Sequence, residues 1–227
     1  PVVVEPLLAE WREAKEAIEA ALSKAQSAKS RSAQTKAEKE AERLHAAFLE
    51  RLRGFRVLDP ACGSGNFLYL SLLALKDIEH RANLAAEALG LARGFPTIGP
   101  EAVKGIELNP YAAELARVSV WVGEIQWMRR NGFDAARDPI LRPLGTIECR
   151  DAILAPDGTK ADWPDADVVV GNPPFLGNNR MISALGEPYT VRLREAWSDL
   201  PGGVDLVTYW FAKAWERIRA GRLSRAG

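Results

Sequence analysis

From residue 54 onward the chain repeats one arrangement: a short apolar run, a turn of Gly, Pro or Asn, then a long stretch with helical spacing. "FRVLD" leads through "PACGSG" into "NFLYLSLLALKDIEHRANLAAEALGLA". "AVKGIELNP" leads into "YAAELARVSVWVGEIQWMRR". "GTIECRDAIL" and "DADVVVGNPPF" supply a third and fourth run, and "DLVTYWFAKAWERIRA" a last helix. Strands separated by whole helices need crossover connections, so they pair parallel. The expected fold is therefore α/β, a doubly wound and mostly parallel sheet with helices on both faces. Apolar spacing places Leu115, Val118, Val122 and Ile125 on the inner face of one helix. In the last helix it places Val207, Phe211, Trp215 and Ile218 there.

Residues 1–53 read as a separate helical segment that precedes a domain over 54–227. Leu7, Leu8, Trp11, Ile18 and Leu22 recur at helical spacing, as do Leu44, Phe48, Leu49 and Leu52. Between them, residues 23–43 hold no large apolar side chain until Leu44, so this part is solvated as a helix, a helical hairpin or a loop. Its Lys24, Lys29, Arg31 and Lys36 read as a solvated face, with contact to nucleic-acid phosphates as the sharper alternative. The chain has 227 residues, and its 30 basic side chains balance its 30 acidic ones. Bulk charge therefore gives no argument for nucleic-acid binding, although local patches remain open. Cys62 and Cys149 lack the spacing of a metal site or a disulfide framework, which favours a reducing compartment. No apolar run reaches the roughly 18 residues of a membrane span. A cytoplasmic protein with no membrane partner is expected. The missing initiator Met and the stop just after a helix read as an excerpt of a longer protein, not active by itself.

The strand ends carry the chemistry. In open α/β sheets, ligands bind at the carboxyl ends of the strands. In "DPACGSGNF", Gly63 and Gly65 allow a tight turn with close ligand approach, and the following helix offers free N–H groups. Asp59 at the strand end suits a cation, so this corner fits a ligand bearing both an amino group and a carboxylate. In "GIELNP", Glu107 is placed to accept both hydroxyls of a ribose. In "ECRDAIL", Asp151 is placed to accept a hydrogen bond from an adenine amino group. Singly each is weak, since glycine turns and strand-end acids are common. Together they would line three adjacent strands and hold an amino acid, a ribose and an adenine. S-adenosylmethionine has those three parts.

"NPPF" then asks why a buried strand should end in an amide, two prolines and an exposed aromatic ring. An arylamine is a poor nucleophile because its lone pair is delocalised into the ring. Two acceptors on its N–H bonds would draw the nitrogen toward tetrahedral geometry. Asn172 offers a side-chain carbonyl and Pro173 a backbone carbonyl, held by the fixed φ of Pro173 and Pro174. Phe175 offers a stacking face for a base taken out of the duplex, worth about 1–3 kcal/mol.

These motifs resemble the γ-class of DNA adenine-N6 methyltransferases, of the kind found in bacterial restriction-modification and phage-defence systems, single-chain type II enzymes included. The resemblance covers residues 54–218. It implies a partial Rossmann-like, S-adenosylmethionine-dependent methyltransferase sheet, truncated at its C-terminal end. It further implies cofactor binding by Asp59, Ala61, Cys62, Gly63, Gly65, Asn66, Phe67, Glu107, Leu108, Asp151, Ala152 and Asn172. The target adenine would be held by Asn172, Pro173, Pro174 and Phe175. DNA would be the partner, as a duplex with a flipped adenine, with other domains or subunits of the system alongside. No metal is implied. The step from Asp59 to Glu107 exceeds the roughly 30 residues of a simple βαβ unit, so "RANLAAEALGLARGFPTIGPEA" reads as an insertion. The fourth strand would form an unpaired apolar edge.

Two other readings remain open. Asn-Pro-Pro-aromatic loops also occur in methyltransferases of ribosomal RNA and of a glutamine amide, and the fold also serves non-catalytic subunits. His45 and His80 read as surface residues, Cys62 as a residue without a partner base, and Trp197, Trp210 and Trp215 as core. "GNNRMISALGEPYTVRLREAW" is either a mobile flap or a packed segment, with Arg180 a candidate phosphate contact.

Overall fold

The structure is a computed structural model that describes residues 2–133 and 144–227. Its chain forms two compact units. One comprises Pro1–Phe55 with Ser71–Ala102, the other Arg56–Leu70 with Val103–Gly227.

The first unit begins with a helical hairpin, α1 (Val4–Gln26) and α2 (Arg31–Gly54). The side chain of Ser30 starts α2 by accepting the N–H of Ala33 at 3.2 Å. Leu7, Trp11, Ile18, Ala21 and Ala25 are buried on α1, and Ala41, His45, Phe48 and Leu52 on α2. Lys24, Lys29, Arg31 and Lys36 are exposed. His45 is therefore not a surface residue. It is 6% exposed, its ring meets Trp11 edge-on, and burial lowers its pKa. The inner stripe of α2 runs through position 45, so the helical period overrides the polarity of the residue there. His80 is half-buried.

Helix α3 (Asn66–Ala88) joins this unit from Ser71 onward. Its buried polar side chains fix the irregular chain that follows it. Glu79 accepts the N–H and hydroxyl of Thr97 at 2.8 and 2.6 Å and the N–H of Ile98 at 3.1 Å. Lys76 donates to the Ile98 carbonyl at 2.7 Å, and Asn83 accepts the N–H of Gly94 at 3.2 Å. One carboxylate thus satisfies donors that have no strand or helix to join.

The second unit is a parallel sheet in the order β3-β2-β1-β4-β5. Its strands are β1 (Val57–Asp59), β2 (Val103–Glu107), β3 (Ile147–Cys149), β4 (Val168–Val169) and β5 (Arg225–Ala226). This is the α/β architecture expected from the strand and helix alternation. Helix α4 (Pro110–Arg130) connects β2 to the segment before β3. Three helices, α5 (Asn178–Leu185), α6 (Glu187–Ala196) and α7 (Val207–Arg219), lie between β4 and β5. Leu58, Ile106 and Val169 from the central strands pack with Trp163, Ala214 and Leu223. A second cluster joins Ile153 and Leu154 to Met181, Leu193, Trp197 and Tyr209.

Several expectations are corrected here. β4 is not an edge: it pairs with β1 on one side and β5 on the other, and β5 was too short to carry a pattern. The segment after the "NPPF" turn, one of whose two expected forms was a packed one, is helical and packs through Met181 and Leu193. On α4 the buried residues are Ala113, Ala116, Val120, Gly123 and Trp127, whereas Leu115, Val118 and Val122 are exposed. On α7, Phe211 and Trp215 are exposed, while Lys213 and Arg217 are buried. Buried Arg217 pairs with Asp162 and Asp165 at 3.1 and 2.9 Å. Trp197 is core, and Trp210 is half-buried.

Glu79→Ala should destabilise the protein by about 3 kcal/mol or more, because it leaves three donors without their acceptor. Glu79→Gln should cost less. Urea-denaturation midpoints followed by circular dichroism measure both.

Candidate functional site

β1 lies at the centre of the sheet, with β2 and β4 on either side. The chain moves outward through β2 and β3, then returns to the far side of β1 as β4. Such a reversal opens a crevice at the carboxyl ends of the two central strands. A cleft of about 680 Å³ occupies that place, within the roughly 300–1,000 Å³ usual for small ligands. Pro60 and Ala61, following β1, line it together with Asn172 and Pro174, following β4. Glu107 and Leu108 at the end of β2, and Asp151 and Ala152 just past β3, line it as well.

Asp59 ends β1 and is 1% exposed. Its Oδ1 accepts the N–H of Ala61 at 3.0 Å, and its Oδ2 has no hydrogen-bond partner among the described residues. A Cβ at Gly171 would stand 2.6 Å from Oδ1, so only glycine lets β4 end this close to the carboxylate. Burial raises the pKa of Asp59 to about 7; the Ala61 N–H opposes that rise and the charge of Glu107 adds to it. A buried acceptor with an open lone pair is a place for a donor, and best for a cationic one.

Glu107 braces the glycine turn. Its Oε2 accepts the N–H of Gly63 and its Oε1 the N–H of Asn109, both at 2.8 Å. A carboxylate has about four acceptor positions, so each oxygen keeps capacity toward the cleft. The turn is closed by Gly65, whose N–H donates to the Cys62 carbonyl at 2.8 Å. Gly65 has φ +85°, and a Cβ there would meet the Ala116 Cα at 2.9 Å. Cys62 is buried against Gly105, and burial, with Asp59 and Glu107 nearby, pushes its thiol up to about 12.

Asp151 is held at both oxygens. Oδ1 accepts the N–H groups of Ile153 and Leu154 at 2.8 and 3.1 Å, and Oδ2 accepts the hydroxyl of Tyr189 at 2.7 Å. Asp59, Cys62, Gly63, Gly65, Asn66, Phe67, Pro173 and Phe175 are not among the residues lining the cleft. Phe175 is 74% exposed beside it in sequence, and Arg180 is exposed on α5.

Residues 33–226 match the family described as "MmeI, DNA-methyltransferase domain". This chain belongs to that family. "DNA methyltransferase A" of Bacillus subtilis is 31% identical over 178 residues, 72% of this chain and 19% of that protein. A "Putative type II restriction enzyme and methyltransferase" of Methanocaldococcus jannaschii is 33% identical over 81 residues, 35% of this chain and 7% of that protein. A solved structure of the type IIL restriction-modification enzyme MmeI in complex with DNA shares the fold. Its TM-score is 0.63 at 23% identity, over 96% of this chain and 26% of that one. This chain therefore spans a minor part of the length of each relative.

Within this family member the cleft also takes in Tyr189, Leu176, Leu185 and Trp210, which motif reading did not find. Trp210 donates to the Pro60 carbonyl at 3.1 Å and so ties α7 to the β1 turn. None of these residues sits at a strand end. For Leu185 and Tyr189 the only signal in the sequence was the unexplained stretch after "NPPF", and it gave no register.

Asp59 sets a pH dependence. Its folded-state pKa near 7 lies above the ordinary value of 3.8. Its contribution to stability is thus full below about pH 4 and is lost as the pH rises toward 7. Asp59→Asn should flatten the fall in melting temperature between about pH 4 and pH 7; thermal unfolding across that range tests it.

Proposed function

We propose that this chain transfers a methyl group from S-adenosylmethionine to the N6 amino group of adenine in DNA, as the modification module of a restriction-modification or phage-defence system. The observation that carries the reading is that Asn172 and Pro174 share one cleft with Glu107 and Asp151. Acceptors suited to a nucleoside and the amide suited to an amino group thus open on one space.

The residues present fit the cofactor. The unpartnered, buried Oδ2 of Asp59 at the end of β1 would take its α-ammonium. Glu107 would take the ribose hydroxyls and Asp151 the adenine amine, with Leu108 and Ala152 flanking the ring. Gly63, Gly65, Asn66 and Phe67, at the start of α3, would neighbour the carboxylate end, where a helix start offers N–H groups. When bound, S-adenosylmethionine supplies an electrophilic methyl group on a sulfonium.

The remaining work falls to the loop after β4. The Asn172 side-chain carbonyl and the Pro173 carbonyl would accept the two N–H bonds of the target amine and free its lone pair. Pro173 and Pro174 restrict the loop, so this geometry is set before the base arrives. Phe175 has no packing role at 74% exposure, which leaves its face for an extruded base. DNA is further supported by the solved MmeI complex, which contains it. Sequence reading and other partners would belong to further domains or subunits of such a system.

Asn172→Ala in the full chain should reduce labelled-methyl transfer to duplex DNA by at least about a hundredfold, the scale of losing one fixed polar contact to the reacting group. Phe175→Ala should instead weaken productive DNA binding by about tenfold. Label entering RNA or protein but not DNA would refute the assignment, as would an Asn172→Ala enzyme of normal turnover.

A further inference from the structure

We infer that Tyr189 is a positioning residue that makes the cofactor pocket selective for a purine bearing an amino group at its 6-position. The inference rests on the reading above, in which Asp151 faces the adenine. Tyr189 belongs to the first turn of α6 and lines the same cleft as Asp151 and Asn172. Its hydroxyl donates to Asp151 Oδ2 at 2.7 Å. The phenol remains the donor throughout the working pH range, because burial and the adjacent carboxylate both oppose its ionisation.

The geometry assigns the two Asp151 oxygens different duties. Oδ1 is consumed by the backbone amides of Ile153 and Leu154, a local turn that any Asp in this sequence context could form. That turn engages one oxygen only. Tyr189 fixes the second oxygen, and with it the direction of the lone pair that remains. A carboxylate pinned in this way offers only an acceptor. It attracts an amino group at the purine 6-position and repels a carbonyl there.

The anchor is rigid. The next residue, Thr190, is fully buried and donates to the Gly186 carbonyl at 2.8 Å, and Leu193, one turn further on, is core. The same segment reaches the catalytic loop. α5 starts at Asn178, whose N–H donates to Asp205 at 2.8 Å and whose side chain accepts from Arg194 of α6 at 2.8 Å. Leu176 and Leu185 line the cleft from this segment. A single helical pair thus borders both the nucleoside end and the "NPPF" end of one cavity.

The test is the affinity of the full chain for S-adenosylmethionine and for S-inosylmethionine, in which a carbonyl replaces the adenine amine, by calorimetry. The wild type should prefer S-adenosylmethionine. Tyr189→Phe keeps the ring and should bind S-adenosylmethionine about tenfold more weakly, as expected for loss of a hydrogen bond to a charged group. Its affinity for the inosine analogue should stay within about twofold, so the preference collapses. In an Asp151→Asn background, Tyr189→Phe should cost nothing more. Unchanged or tighter S-adenosylmethionine binding by Tyr189→Phe would overturn the inference. So would an equal loss for both compounds, or additive losses in the double variant, since each describes a general prop. A wild type that binds neither compound, or both alike, would instead remove the underlying reading of the pocket and the inference with it.

Discussion

The site depends on one topological constraint: β1 pairs in parallel with β2 and β4 at once. Parallel strands all release their chains at the same edge, so Asp59, Glu107 and the loop after β4 emerge together without any feature that seeks them out. The reversal of chain direction across the sheet falls between β1 and β4, and a crevice there is unavoidable because successive connections leave to opposite sides. The side chains then only have to furnish a space that the backbone has already made. Gly171 shows how tightly it is furnished. The end of β4 comes so near the Asp59 carboxylate that a methyl group would meet it at 2.6 Å.

Strand ends were legible in the sequence because they combine a β-branched run with an acid and a turn former. This combination marked Asp59, Glu107, Asp151 and Asn172, and the structure sets the last three around one cleft with Asp59 at the end of the central strand. Helix faces were less legible, for a reason visible at α4. The glycine turn approaches α4 until a Cβ on Gly65 would touch the Ala116 backbone, and a Cβ on Gly123 would meet the ring of Tyr69 at 2.7 Å. Close approach selects Ala113, Ala116 and Gly123 for the inner face and sends Leu115, Val118 and Val122 outward. Hydrophobicity alone ranks these residues in the opposite order. On α7 the paired heads of Lys213 and Arg217 let their apolar stems fill the interior. β5 and Tyr189 were illegible for a different reason. A two-residue strand has no period, and the role of Tyr189 exists only through a partner far away in sequence.

The charges at the site form a consistent set. Burial raises the pKa of Asp59, and the neighbouring charge of Glu107 adds to that rise. A positively charged ligand group opposes that rise, whereas a second anion would add to it. The same field works against Cys62. Held between buried apolar contacts and two carboxylates, its thiol stays protonated at any working pH.

This has a consequence for the chemical route. The thiol nearest the turn is neither ionised nor exposed, so it offers no nucleophile for a covalent intermediate on the protein. His45 and His80 lie in the other compact unit, and no histidine is among the described residues that line the cleft. Under the proposed reading the remaining route is direct transfer to the target amine. Such a route asks little acid or base chemistry of the protein, because the methylated nitrogen becomes a strong acid and releases its proton to water. It asks a great deal of geometry, since two fixed oxygens must take hold of an amine that would otherwise conjugate with its ring. Under that reading, a turn of Asn followed by two prolines meets the demand with few moving parts.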